Sequence, residues 1–290
     1  EVCGEGGLGM KKKKKGNSAV LKIVTYFILI CAVLITVLPL GWVISTSIKP
    51  SGEIFAKPPR WIPVDPTIAS YIHVLTESSI PRAFSNSLLV GLMTSLIALL
   101  LGGSAGYAFA RFKFRGSKFL SLFMLISQML PLTVLMIPMY YMENTAGLVD
   151  TKFGLAAAHL VISLPLVTWM TKGYFKGIPK EIEEAAVIDG CSTMKTIFYV
   201  ILPLMKPSLT ATGIYAFISS WNEFALANVL TRSQNSMTVP IALNEFSSFF
   251  KVNWGDTMAA AAIITIPIIL AFILVQKQFV EGLASGAVKG

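Results

Sequence analysis

Six segments of this sequence are predominantly apolar over more than 20 residues each, and no other feature restricts the fold as strongly. A helix needs about 20 such residues to cross roughly 30 Å of hydrocarbon, where irregular backbone would leave N–H and C=O groups unpaired. The sequence therefore predicts an all-α integral membrane protein with six transmembrane helices. Their approximate bounds are residues 23–48, 85–110, 118–142, 153–174, 208–230 and 257–277.

The composition agrees with a protein partly solvated by lipid. Hydrophobic residues make up 54% of the chain and charged residues 13%, whereas a soluble domain carries about 25% charged residues. The three cysteines and two histidines form no CxxC or His-x-x-His spacing, so neither a disulfide framework nor a metal site is indicated.

The remaining segments divide as follows. Residues 1–9 have no apolar periodicity and precede Met10, so we expect them to be a non-native extension or a wrongly assigned start. Residues 10–22 form a basic tail and 49–84 an external loop. A five-helix core covers 85–278 and contains a loop at 179–207, and 279–290 form a tail. The first span is too long for a signal peptide and should stay as an anchor.

The lysines and arginines predict the orientation. With the amino terminus in the cytoplasm, 17 of the 24 lie on the inner side, including the lysine run 11–15. Such a run can also bind nucleic acid, but directly before a spanning helix it is typical of a topology signal. We therefore expect both termini in the cytoplasm and no nucleic-acid partner.

The inner loop between the fourth and fifth spans predicts a helix-turn-helix. Pro179 suits a first helical turn, and three glutamates follow it at the positive end of the helix dipole. Gly190 can adopt the left-handed conformation that ends a helix, Ser192 can cap the next helix, and that helix should run to Pro203. The first helix carries one narrow face of short side chains, formed by Ile178, Ile182, Ala185, Ala186 and Asp189.

This face indicates a protein partner. The alternative is an interfacial helix lying among lipid headgroups. Such a helix would carry Trp, Phe or Leu opposite lysines, whereas here the face is small and the first turn is acidic. A fitted groove on a partner suits it better.

The same loop resembles a known family. Glu184-Ala185-Ala186, then Gly190, then Leu202-Pro203 is similar to the signature of ABC-importer permeases, with Val200 in place of the usual Ile. The resemblance extends from about Leu21 onward. Further segments resemble the carbohydrate-uptake branch, specifically the smaller membrane subunit of maltose-type transporters: 106–114, Trp221-Asn222-Glu223, Trp254-Gly255-Asp256 and 282–290.

The resemblance implies a type I ABC-importer permease architecture and a division of labour. In that family the loop docks on a cytoplasmic ATPase, which assigns the coupling role to Glu184, Ala185, Ala186, Asp189, Gly190, Leu202 and Pro203. The chain has no G-x-x-x-x-G-K-[ST] motif, so ATP and Mg²⁺ are expected on the partner ATPase and no cofactor on this chain. The tail residues Gly286, Lys289 and Gly290 are implied to reach the ATPase.

The family also implies the other partners. They are a second permease subunit in a heterodimer, two copies of the ATPase, an extracytoplasmic solute-binding protein and a sugar, in the bacterial inner membrane. The alternative function is an ion-coupled secondary transporter, which would normally show internal repeats and an intramembrane acid or base relay. We find one buried acid and no repeat.

Three residues are candidates for the transport pathway. Glu223 is the one charge predicted within a span, and Trp221 and Asn222 beside it offer the stacking face and amide that sugars bind. The alternative is that Glu223 fixes helix packing or lies near the outer interface.

A catalytic motif can be rejected. Gly102-Gly103-Ser104-Ala105-Gly106 matches the nucleophile elbow, but Ser104 and His159 should lie at different depths, so the glycines predict close helix packing instead.

Overall fold

The computed structural model describes residues 17–246 and 252–287. In chain order the helices are α1 (Asn17–Ser47), α2 (Ser51–Ile54), α3 (Ala69–Thr76), α4 (Ile80–Arg111), α5 (Ser117–Ser127), α6 (Leu132–Thr145), α7 (Lys152–Gly177), α8 (Lys180–Ile188), α9 (Thr193–Lys195), α10 (Leu202–Trp221), α11 (Ala225–Leu230), α12 (Val239–Asn244) and α13 (Trp254–Ala287). A π-helical stretch, Thr196–Ile201, joins α9 to α10.

Five helical stretches in the described residues are long and apolar enough to cross a membrane. They confirm five of the six predicted spans: α1, α4, α7, the continuous stretch from α9 through α10, and α13. The predicted extension 1–9 and the lysine run 11–15 lie outside the described residues.

The predicted third span is a broken one. Instead of a single helix over 118–142, α5 and α6 meet at a bend of 103°, and at roughly 16 and 21 Å neither crosses the bilayer alone. Pro131 explains the break, because its ring would crowd the carbonyl of Ser127, where α5 ends. The pair forms the sixth span only if both helices are counted together.

The predicted fifth span, 208–230, is wrong at both ends. Its helix begins at Thr193, inside the loop predicted to hold a separate second helix ending at Pro203. Pro203 lacks an N–H, and the π-helical turn before it widens the backbone where a regular helix would clash. The helix then ends at Trp221, and α11 follows as a separate helix.

The centre of the molecule is the packing of α4 against α7 and α10. Glycines permit the close approach: a Cβ on Gly102 would lie 2.7 Å from Cγ1 of Val167, and one on Gly106 would lie 2.8 Å from the backbone N of Lys172. Ser104 donates to the carbonyl of Leu101 within its own helix. The prediction that the glycines serve close packing is confirmed for Gly102 and Gly106, whereas a Cβ on Gly103 would meet nothing within 4 Å.

The predicted external loop 49–84 is an ordered cap at one end of the spans. It contains α2, α3 and the first turn of α4. Nδ1 of His73 in α3 lies 2.8 Å from Oδ2 of Asp256 in the first turn of α13, and a Cβ on Gly255 would lie 2.7 Å from Oγ of Ser70. The cap is thus fixed to the last span.

Candidate functional site

The helix α8 and the turn after it stand at the end of the molecule opposite the cap and present most of the predicted coupling residues to solvent. Ala186 is buried, whereas Glu184, Ala185, Asp189 and Gly190 are exposed. The face predicted from the sequence is therefore divided: Ala186 packs into this chain and Ala185 points away from it.

The turn after α8 has the predicted geometry at Gly190 and differs from the prediction at Ser192. Gly190 has φ of 84°, a conformation that L side chains rarely adopt, and the N–H of Cys191 donates to the carbonyl of Ala186 at 2.9 Å. The side chain of Ser192 makes no capping hydrogen bond to α9. Its carbonyl accepts from the N–H of Thr196 at 2.9 Å, which is the first bond of the following helix. Ser192 is therefore the residue before the helix, as expected, but without the expected side-chain cap.

An ion pair holds α8 against α4. Nε of Arg111 lies 2.6 Å from Oε1 of Glu183, and Nη2 donates to the carbonyl of Ile178 at 3.1 Å. The hydroxyl of Tyr107 adds a bond of 3.3 Å to Glu183. Sequence reasoning missed this pair and emphasised Glu184, the neighbouring residue. The available signal was the arginine that ends a long apolar helix, which needs a partner when buried.

Beyond the ion pair, the tip of the loop is apolar and open to solvent. Val187 is 57% exposed, Ile188 85% and Met194 67%. Large apolar side chains grouped at a loop tip mark an interaction surface rather than a core.

The other two predicted coupling residues lie on the continuous helix. Leu202 is half-buried and Pro203 is exposed. Both line an apolar groove of about 830 Å³ between α4, α10 and α13. They are therefore set apart from the exposed tip of α8.

The three predicted pathway residues lie at the break between α10 and α11 and point in different directions. Trp221 is buried and stacks on Phe217 with ring centroids 5.5 Å apart. Glu223 is buried and accepts the N–H groups of Leu226 at 2.8 Å and Ala227 at 2.9 Å. Of the three side chains, only that of Asn222 is exposed.

A buried histidine, which sequence reasoning considered only for hydrolysis, completes this region. Nδ1 of His159 in α7 lies 2.7 Å from Oγ of Ser220, and Nε2 lies 3.2 Å from Oε2 of Glu223, an ion-pair distance without hydrogen-bond angles. His159 stands seven residues into α7, roughly 10 Å from the start of that helix. The network thus joins α7, α10 and α11 in the half of the molecule that carries the cap.

The predicted tail residues are placed only in part. α13 continues to Ala287, so Gly286 and most of the predicted tail 279–290 are helical. The assignment of this segment as a cytoplasmic tail stays a prediction. Lys289 and Gly290 lie outside the described residues.

Comparison with known families matches residues 98–284 to the family described as "Binding-protein-dependent transport system inner membrane component". The chain is similar to the diacetylchitobiose uptake system permease protein DasC of Streptomyces coelicolor, with 34% identity over 88% of this chain and 92% of that protein. It is also similar to the trehalose transport system permease protein SugB of Mycobacterium tuberculosis, with 37% identity over 87% of this chain and 92% of that protein.

A solved structure has the same fold. It is that of a bacterial ABC transporter involved in the import of the acidic polysaccharide alginate, and one of its chains superposes with a TM-score of 0.78. The identity is 22%, and the match covers 91% of this chain and 98% of that one.

Proposed function

This chain belongs to the family of binding-protein-dependent transport system inner membrane components, and on that premise we propose how it moves its substrate. It is a multi-pass permease subunit of an ATP-binding-cassette importer. It passes a sugar, an oligosaccharide or related carbohydrate, from an extracytoplasmic binding protein to the cytoplasm. Membership of this family argues against the ion-coupled alternative, because the relatives depend on binding proteins.

The proposed mechanism rests on the exposed tip of α8, a helix that an ion pair holds against α4. Ile188 offers an apolar contact to a partner, while Arg111 and Glu183 hold the same helix to α4. A partner ATPase that binds the tip can therefore displace α4 directly. The continuous helix from Thr193 to Trp221 offers a second route, since a force on the loop acts on one helix that ends at the predicted pathway residues.

At the other end of that helix, we assign sugar contact to Asn222. Its exposed amide can exchange hydrogen bonds with sugar hydroxyls. The exposed aromatic ring of Phe224, which borders a pocket of about 250 Å³, can stack on a sugar face. Trp221 and Glu223 position this segment from inside.

Two substitutions test this assignment. Asn222→Ala should raise the KM for sugar and leave the thermal stability of the protein unchanged, whereas Glu223→Gln should lower the thermal stability. The reverse pattern would mean that Glu223, and not Asn222, contacts the sugar.

The remaining partners follow from the same family. We propose a second permease subunit, two ATPase copies that bind ATP and Mg²⁺, and both termini in the cytoplasm. A further contact from Gly286, Lys289 and Gly290 to the ATPase is part of this proposal.

The docking step can be tested with two exposed isoleucines. Ile188→Glu places a charge on the tip of α8, and Ile62→Glu makes the same change in the external loop, where the side chain is 83% exposed. We expect Ile188→Glu to lose the ATPase on co-purification and to lower sugar uptake at least tenfold, and Ile62→Glu to retain the ATPase. If Ile188→Glu still binds the ATPase and transports normally, α8 is not the docking site.

A further inference from the structure

A cationic pocket lies at the inner ends of the spanning helices, apart from the docking tip of α8. It has a volume of about 620 Å³ and is formed by the end of α4, the start of α5, the end of α7 and the first residue of α8. Six cationic side chains line it, and no carboxylate does among the described residues. The cations are Arg111, Lys113, Lys118, Lys172, Lys176 and Lys180.

Two of these cations are already engaged. Arg111 is paired with Glu183. Lys172 donates to Oγ of Ser121 at 2.6 Å and lies 5.5 Å from the ring centroid of Phe109. The other four form no ion pair with any carboxylate in the part of the chain that the structure describes. The pocket thus holds several positive charges without a protein counter-ion.

The start of α5 adds donors to the same pocket. Gly116, with φ of 88°, precedes the helix without any side-chain cap, and the first turn contains no acidic residue. Free N–H groups at a helix N-terminus favour a negative ligand. The N–H groups at the start of α5 therefore add to the attraction that the lysines exert on an anion, and alone they would contribute little to binding.

The surroundings of the pocket are apolar. Phe112, Phe114 and Phe119 line it and are exposed. An adjoining pocket shares Lys172 and Lys176 and is bordered by Trp169 and Tyr174. Lys172 lies five residues before the end of α7, roughly 8 Å inside that end. A ligand here would therefore meet cations and exposed aromatic rings side by side at the ends of the spanning helices.

We propose that this pocket binds the phosphate group of an anionic membrane lipid such as phosphatidylglycerol. The shared chemistry is an anionic phosphate group, which a lipid headgroup or a free phosphate ester could supply. The exposed aromatic rings beside the lysines favour the lipid, because its acyl chains would cover them. Basic pockets between spanning helices on the cytoplasmic side suit such headgroups. The inference rests on the membrane-spanning fold and is independent of the transported substrate.

The test uses the full-length chain in detergent micelles and native mass spectrometry. Phosphatidylglycerol, phosphatidylcholine and glycerol 3-phosphate are each titrated. The pocket variant combines Lys113→Gln, Lys118→Gln and Lys176→Gln, and the control combines Lys22→Gln, Lys195→Gln and Lys206→Gln, which remove the same charge outside the pocket. A thermal-unfolding scan checks that both variants are folded. If the triple pocket variant is not folded, the single variant Lys118→Gln replaces it in the titrations.

We expect the chain to bind phosphatidylglycerol in preference to phosphatidylcholine. The affinity should fall about fivefold for each pocket lysine removed and change much less in the control. Equal losses in both variants would reduce the effect to general surface charge and overturn the pocket. Equally tight binding of glycerol 3-phosphate would overturn the lipid assignment.

Discussion

At the scale of single residues, two carboxylates of this protein are held by pairs of backbone N–H groups. Glu223 accepts two at the start of α11, and Asp150 accepts those of Arg232 and Ser233 at 3.0 Å each. Such bonds stabilise the ionised form. Each carboxylate fixes a short segment that follows a helix end, where the backbone would otherwise lack partners.

The loop at Asp150 makes this arrangement measurable through pH. Desolvation would raise the pKa of Asp150, but hydrogen bonds from Ser236, Arg232 and Ser233 outweigh it and lower the pKa from 3.8 to about 2. The carboxylate therefore contributes stability above about pH 3.8, and this contribution disappears as the pH falls towards 2. Asp150→Asn should lower the unfolding free energy at pH 7 by about 1 kcal/mol or less, because Asp150 is half-exposed.

Unfolding of the wild-type protein and the Asp150→Asn variant in detergent, followed from about pH 7 to about pH 2.5, checks this. The difference in unfolding free energy between the two proteins should shrink through the lower part of that range. A difference that is constant with pH would mean that the charge is irrelevant and that only the shape of the side chain matters.

At the scale of elements, the tight contact of α4 with α7 depends on which face carries glycine. Gly106 faces α7, where a methyl group would meet the backbone N of Lys172 at 2.8 Å, whereas at Gly103 nothing lies within 4 Å of an added Cβ. Backbone atoms cannot move aside as a flexible side chain can. The two positions, three residues apart, therefore form a matched pair.

Gly106→Ala should destabilise the protein by about 1–3 kcal/mol through overpacking, while Gly103→Ala should be neutral or slightly stabilising because alanine favours the helix. Thermal unfolding of the two variants in the same detergent measures the difference. Equal effects would show that α4 and α7 are less closely packed than described.

Elements were predictable from the sequence where one local rule decides them. Hydropathy located the long helices, and Gly190 was expected in the left-handed region because a helix end there favours glycine. Hydropathy averaged over 20 residues could not reveal the bend at Pro131. The apolar run continues to Leu230, so hydropathy also gave no sign of the helix end at Trp221. The ion pair of Arg111 with Glu183 joins residues 72 apart in sequence, and only the tertiary fold brings such partners together.

At the scale of the whole molecule, the structure places three regions at two levels of the bundle. The tip of α8 and the cationic pocket lie at the end opposite the cap, and the network of His159 and Glu223 lies nearer to the cap. One continuous helix from Thr193 to Trp221 connects the two levels. The ion pair of Arg111 with Glu183 adds a direct link from α8 to α4, so we expect a movement of the proposed docking loop to reach the centre of the bundle by two routes.

The ion pair is the route that can be removed without altering the docking surface. Arg111→Gln leaves Ile188 exposed but removes the ion pair between α8 and α4, and Glu181→Gln is the control, since it changes a glutamate in the same first helical turn. In the complete importer, reconstituted in proteoliposomes, we expect Arg111→Gln to retain the ATPase and to reduce the sugar moved per ATP hydrolysed several-fold. Glu181→Gln should keep the wild-type ratio.

The double variant Arg111→Gln with Glu183→Gln shows whether the loss of sugar moved per ATP comes from the ion pair itself. If the two side chains act through each other, the second change should add little to the first, because interacting residues are not additive. Additive losses would mean that each side chain acts independently. A wild-type ratio in Arg111→Gln would leave the continuous helix as the sole path by which the loop drives the bundle.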